Sequence, residues 1–444
     1  MRICFLSRRY FPAVSGMSVY ARNMTNALAA RGHDIVMLSQ YRQDPKGIGI
    51  YGGGPPPDEP WMQVEGLRAL GEEQADENTS ADFEADLRYM VERAVALHQQ
   101  QPFDLVHAQY CYPNGLAALE ISRQLGIPNM VSIQGGDGHW VGLCCETHRQ
   151  AMAAVLNHAM ELVIGCDSFA EEVVHNHGIE KSRMTIIPGA TNTEQFKPAR
   201  LPDSNNTESQ ALLADDLPND LPNGVLGQIE TPARLLYHGR VDRRKGVLDF
   251  IQAGKQLIDR KLAVKLIVSG IGPDVEPAQR LTAELKLQDH VEFTGAVDYA
   301  DAAKVYSLGD IFVSPTYAEG FSNTVLEAMA SGLPIVSTNT VGVVDCLTND
   351  VNGSLVEPGD VTALADALQH MIEDEAYRLR IVKQAYNDVI QHYSWPVIAG
   401  QLEARYKTLL TQTIDNDWTQ HFDIQQTVED ADLSCRFRQQ PHLL

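Results

Sequence analysis

A chain of 444 residues with a formal net charge of −23 is too long for one ordinary core, and at roughly 100 to 200 residues per domain it points to two. The acidity excludes a nucleic-acid binder, which needs a basic face, and gives no support to peripheral contact with anionic lipid. No apolar run approaches the roughly 18 residues that span a bilayer, and Met1 to Ser7 lead into Arg8-Arg9 without a cleavage site. A first buried strand and a cytoplasmic location are therefore expected.

In chain order, residues 3–7 are apolar, 18–31 form an amphipathic helix, and 35–39 are apolar again, which is the strand–helix–strand unit of a parallel sheet. The segment 44–78 is rich in Gly, Pro and acids, and Gly52-Gly53-Gly54-Pro55-Pro56-Pro57 suits neither helix nor central strand, so the segment reads as an excursion. Strands follow at 105–107, 129–133 and 162–164, with helices near 115–125 and 147–159, closing a doubly wound domain over residues 1–200. Residues 201–232 are acidic, irregular and placed as a linker. The alternation resumes over 233–392, with strands at 234–238, 263–270, 291–293, 311–314, 335–337 and 353–356. A helix closes the pattern over 393–410, and 411–444 is a polar, acidic tail for which disorder is expected.

Seven scattered cysteines do not suggest a disulfide framework and fit a reducing compartment. Cys144-Cys145 stands between His139 and His148, but adjacent cysteines strain a tetrahedral site whose ligands are usually roughly two to four residues apart. The segment reads as a buried or acceptor-lining loop, and no metal is expected.

The most informative run is Glu319-Gly320-Phe321-Ser322-Asn323-Thr324-Val325-Leu326-Glu327. It follows an apolar strand and opens a helix, so the amides of 321–324 and the helix dipole would face an anion. The helix stops at Gly332 and another strand follows, which puts the loop at a strand's carboxyl end. This run resembles the donor-site signature of the retaining GT-B glycosyltransferases of family 4 (glycosyl transferases group 1).

That resemblance implies an α/β fold of two Rossmann-like domains facing across a cleft, and a metal-independent retaining hexosyl transfer. The donor would be a nucleoside-diphosphate sugar of UDP or GDP type, acting as co-substrate without a further cofactor. The acceptor would be a hydroxyl on a saccharide, lipid-linked or small-molecule acceptor. Glu319 would contact the donor sugar and Glu327 the ribose, with Gly320, Phe321, Ser322, Asn323 and Thr324 on the phosphates.

In Gly239-Arg240-Val241-Asp242-Arg243-Arg244-Lys245-Gly246, Arg240 and Lys245 match the family's Arg-x4-Lys pattern and would neutralise the leaving diphosphate, while Arg243 and Arg244 read as surface residues. Gly270 ends a strand where a nucleotide can approach, and Val297 lies in a loop resembling the base-contacting one. In the first domain the loop after strand one keeps Gly16 but has Ser15 where relatives commonly carry glycine, so a Ser side chain would narrow the site or add a hydroxyl contact.

Gln134-Gly135-Gly136-Asp137 resembles the family's His-Gly-x-Asp loop with Gln for His, and Gln109 replaces a second histidine. Asp137 is a candidate catalytic helper or a turn residue. Gln134, His139, Trp140 and His107 are candidates to line the acceptor site, His107 being equally open to a structural role. Gly189 and Asn192 lie in a turn resembling the family's Pro-Asn-Gly-Val-Asp turn and read as structural. The replaced residues keep open a non-catalytic GT-B protein that only binds a sugar nucleotide.

Overall fold

The structure, a computed structural model, describes residues 1–51, 53–76, 79–198, 226–414, 417–420, 422 and 434–441, with the backbone alone at 49–51. The chain forms two compact units, Met1–Pro188 with Ile398–Leu444, and Gly189–Val397. The expected boundary at 200 thus falls inside the second unit. Residues 201–225 of the expected linker lie outside the described residues, while Leu226 is buried in the second unit.

The first unit is built on seven parallel strands, β1 Arg2–Ser7, β2 Asp34–Tyr41, β3 Gln63–Arg68, β4 Leu105–Gln109, β5 Asn129–Ile133, β6 Glu161–Ile164 and β7 Met184–Ile186, in the order β3-β2-β1-β4-β5-β6-β7. The second has six, β8 Ala233–His238, β9 Val264–Ser269, β10 Val291–Gly295, β11 Ile311–Ser314, β12 Ile335–Thr338 and β13 Ser354–Val356, in the order β10-β9-β8-β11-β12-β13. Both are doubly wound sheets whose order reverses beside the first strand, between β1 and β4 and between β8 and β11. Loops at the carboxyl ends of such a pair part to leave a ligand crevice.

The continuous apolar runs that mark these strands arise because both faces are covered. In the second unit Leu235, Tyr237, Leu266, Val268, Ile311, Val313 and Val336 pack into one core cluster. Their neighbours Leu236, Ile267, Phe312 and Ile335 pack into another. Period-two alternation thus divides one sheet between two cores.

Three expectations need correction. The segment 44–78 contributes strand β3, which pairs in parallel with β2 from Val36↔Gln63 to Tyr41↔Arg68, so part of it belongs to the sheet. The helix Phe83–Gln100, capped by Asp82 accepting from the Ala85 amide at 2.9 Å, goes beyond the expected elements. The tail, expected to be disordered, buries Trp418, Phe422, Cys435, Phe437 and Arg438 in the first unit.

The helix Trp395–Leu409 carries the chain back into the first unit from Ile398 onward. There Arg405 pairs with Glu161 at 2.6 Å and Arg31 with Glu403 at 2.5 Å.

Candidate functional site

In the second unit the loop after β8 and the loop after β11 meet backbone to backbone. The Tyr317 amide donates to the Arg244 carbonyl at 2.9 Å, and a Cβ on Gly246, which has φ +73°, would stand 1.9 Å from the Pro315 carbonyl oxygen. Only glycine permits that approach. Gly270 plays the same part at the end of β9, where a Cβ would fall 1.8 Å from the Gly239 carbonyl oxygen.

This closure sets Lys245 against Glu319. The Lys245 Nζ lies 2.7 Å from Glu319 Oε1 and donates to the Ala318 carbonyl at 3.2 Å. The four basic side chains of the β8 loop have different surroundings. Arg243 is held by Asp274 and Arg244 by Asp242, each at 2.8 Å, and both guanidinium groups remain largely exposed, as expected of surface residues. Arg244 beside Asp242 holds that carboxyl down at about 2. Arg240 is looser, 63% exposed and 3.7 Å from Asp242, which leaves its donors available to an anion.

The helix Asn323–Ala330 begins at Ser322, whose side chain makes no capping hydrogen bond. Its first-turn amides therefore await an acceptor that the helix does not supply. Phe321 packs on Tyr393 at 5.8 Å and leaves no room for a Cβ on Gly189, which would fall 2.6 Å from Phe321 Cδ1. The turn around Gly189 thus buttresses the loop. Val297 packs with Phe321 and Tyr299 against the same core.

Glu327 is buried, and its Oε2 accepts from the Tyr306 hydroxyl at 2.5 Å. Burial pushes the carboxyl up to about 7, with the Tyr306 bond opposing the rise. Tyr306 is itself fully buried, with His238 edge-on at 5.5 Å. Burial holds His238 down at about 4. Neither Tyr306 nor His238 is among the candidates read from the sequence; a hydroxyl 21 residues before its carboxylate leaves no spacing signal.

The first unit treats its polar groups differently. Asp137 is wholly buried, and its carboxylate accepts from the amides of Cys111 (2.9 Å), Gln134 (3.1 Å) and Gly135 (2.9 Å). Both oxygens thus accept from the backbone, the arrangement of a turn carboxylate. Burial raises its carboxyl and the three amides oppose the rise.

His107 sits inside the sheet, paired with Phe5 on β1 and Met130 on β5, and its ring bonds Tyr406 at 2.6 Å and Ser132 at 2.7 Å. Burial holds it down at about 3, so it is a structural histidine and does not line an acceptor site. His139 is likewise buried, bonded to Glu172 at 2.7 Å and 4.5 Å from the Phe169 ring, while Trp140 beside it is 40% exposed. Gln109 and Gln134, the two glutamines standing for histidines, bond each other at 2.6 Å, and Gln109 also donates to the Met17 carbonyl at 3.0 Å.

Ser15 is the N-cap of the helix Gly16–Ala30. Its hydroxyl accepts from the Ser18 amide at 3.2 Å and its own amide donates to Ser18 Oγ at 2.8 Å. The Ser side chain that was expected to narrow the site serves this capping box instead. Gly16 opens onto space, with nothing within 4 Å of an added Cβ. The cysteine pair keeps His148 and not His139 as its neighbour: His148 Nδ1 lies 3.1 Å from Cys144 Sγ and 3.2 Å from Cys145 Sγ.

Comparison with known proteins agrees with this division. Residues 15–190 match the glycosyl transferase 4-like domain, and residues 224–388 match glycosyl transferases group 1. The chain is 27% identical over 256 residues to a capsular polysaccharide biosynthesis glycosyltransferase, CapM, of Staphylococcus aureus, a match covering 57% of this chain and 63% of that protein. It is 25% identical over 454 residues to a D-inositol 3-phosphate glycosyltransferase of Arthrobacter sp., covering 94% of this chain and 97% of that one.

A solved structure of sucrose-phosphate synthase from Thermosynechococcus elongatus superposes with a TM-score of 0.69 at 25% identity, covering 92% of this chain and 98% of that one. No helix among the described residues is long and apolar enough to cross a membrane. With both halves matched and both sheets in place, the chain belongs to the GT-B glycosyltransferases of family 4.

Proposed function

We propose that the second unit binds a nucleoside-diphosphate sugar and that the enzyme transfers the sugar with retention to an acceptor hydroxyl on a saccharide, lipid-linked or small-molecule acceptor. The observation that carries this is the Lys245–Glu319 pair, 2.7 Å apart, at the carboxyl ends of the two strands where the sheet order reverses. A carboxylate for sugar hydroxyls and an ammonium for phosphate stand side by side there.

In this reading Arg240 and Lys245 take up the negative charge that grows on the leaving diphosphate, and no metal is required for that task. The 321–324 amides assist them. Lys245 exchanges part of its bond to Glu319 for the phosphate, freeing Glu319 to accept from the donor sugar. Glu327, steadied by Tyr306, accepts from the ribose. The departing phosphate oxygen takes the acceptor's proton on the face it leaves, which gives retention. The curated relatives named as polysaccharide and inositol phosphate glycosyltransferases support a hydroxyl acceptor of that class.

Thermal stabilisation by UDP, GDP and ADP sugars tests the donor. At a concentration 100 times the dissociation constant, a true donor adds about 2.7 kcal/mol to native stability. No shift with any of them would sink the assignment. Slow donor hydrolysis that disappears in Glu319→Ala supports transfer, whereas tight binding with no hydrolysis or transfer across acceptors would leave only a binder.

A further inference from the structure

Three sulfurs converge on one nitrogen in the first unit. Cys145 is the N-cap of the helix Glu146–His158 and makes no capping hydrogen bond with its side chain. His148 follows one turn later, on the same side of the helix. Cys435 arrives from the C-terminal segment, 287 residues further along, with its Sγ 3.5 Å from His148 Nδ1. With Cys144 at 3.1 Å and Cys145 at 3.2 Å, the four ligand atoms all lie within 4.8 Å of one another.

Hydrogen bonding does not account for this convergence. A neutral imidazole nitrogen has one lone pair and accepts one donor, and a thiol is a weak donor. Three sulfurs around one Nδ1 leave at least two without a bond to it. A cation at their centre would satisfy all four groups at once. Tetrahedral zinc, with Zn–S of about 2.3 Å and Zn–N of about 2.0 Å, separates sulfur from nitrogen by about 3.5 Å, against 3.1, 3.2 and 3.5 Å from the three sulfurs to Nδ1. The ring is fixed by aromatic walls, Tyr112 at 4.5 Å and Phe437 at 6.1 Å, and His148 is fully buried. Its Nε2 has no hydrogen-bond partner among the described residues.

We propose that Cys144, Cys145, His148 and Cys435 hold one zinc ion in a structural Cys3His site. Binding releases three thiol protons to solvent and involves no electron transfer. Four protein ligands leave no open position, so the site fastens and does not catalyse. Adjacency of the two cysteines, which argued against a metal, is overcome because a turn before the helix brings both sulfurs to the same nitrogen.

What the ion fastens is the C-terminal segment. Beyond Cys435, Arg438 is buried and grips Glu84 through two bonds of 2.7 and 2.9 Å. The Pro441 carbonyl then accepts from Arg8 at 2.9 Å and Arg9 at 3.2 Å, both in the loop after β1. The site thus ties the tail to that loop.

The test is metal analysis of the full-length chain, expressed with zinc and purified without chelator or immobilised metal. One zinc per chain is expected in the wild type and in Cys346→Ser, whose thiol lies in the second unit. Cys435→Ser and Cys145→Ser each remove a direct ligand and should each fall well below one zinc per chain. Because those variants could misfold, the wild type is also exchanged with cobalt(II), which should give thiolate charge-transfer absorption and tetrahedral ligand-field bands. Zinc-free wild type, octahedral cobalt spectra, or a disulfide between Cys435 and Cys144 or Cys145 in protein kept under nitrogen would overturn the site.

Discussion

The two sheets share a strand order over six strands, yet the loops at their carboxyl ends hold their polar groups in opposite ways. At the end of β8 and β11, Arg240 is 63% exposed and the Lys245–Glu319 pair stands partly open. In the first unit, after β4 and β5, Asp137 is consumed by three amides and Gln109 by Gln134. Topology therefore fixes where a crevice lies, and the direction of a few side chains decides whether it carries charge. Substitutions in the second unit should act on turnover, and those in the first on stability.

The largest effect should come from Arg240→Ala with Lys245→Ala. Removing donors that stabilise developing charge costs about 10² to 10³ in kcat each, and the pair should lose at least that much with little change in melting temperature. Both side chains are partly exposed and make no core contact, so a variant that instead melts early would break the contrast. Next comes Asp137→Ala, which strands three amide donors, that of Cys111 buried and those of Gln134 and Gly135 half-buried. An orphaned buried group costs about 1 to 3 kcal/mol, so denaturant unfolding should show a loss of that order or more. The kcat of the folded fraction should stay near wild type. A selective collapse of kcat at unchanged stability would make Asp137 a catalytic group.

Much of the fold was legible because strands buried on both faces read as unbroken apolar runs, as in Ile311 to Val313. Strand β3 escaped because it lies at the sheet edge, where Gln63 and Arg68 face water and the pattern is diluted. The strand, loop and helix around Glu319 were legible because local order positions those residues. Asp137 was not, since a glycine-rich loop can turn its carboxylate outward or inward and sequence does not record which. Pairings distant along the chain, Tyr306 with Glu327 and Cys435 with His148, leave no local trace. The tail misled because its acidic composition hides Phe437 and Arg438, which are buried.

The mildest effect concerns Glu327, and here the two readouts should part. Its carboxyl is raised from 4.5 to about 7 by burial, so the native state holds a proton that the unfolded chain gives up earlier. Its contribution to stability is therefore full below pH 4.5 and is lost as pH rises through about 7. Donor binding runs the other way, because only the ionised carboxylate accepts from two ribose hydroxyls. Affinity should rise about tenfold from one unit below that pKa to one unit above it, while melting temperature falls across the same interval. Glu327→Gln should flatten both trends, and Tyr306→Phe should move the midpoint upward, since the hydroxyl favours the ionised form. If affinity and stability instead fell together with rising pH, Glu327 would be holding the helix and not the nucleotide.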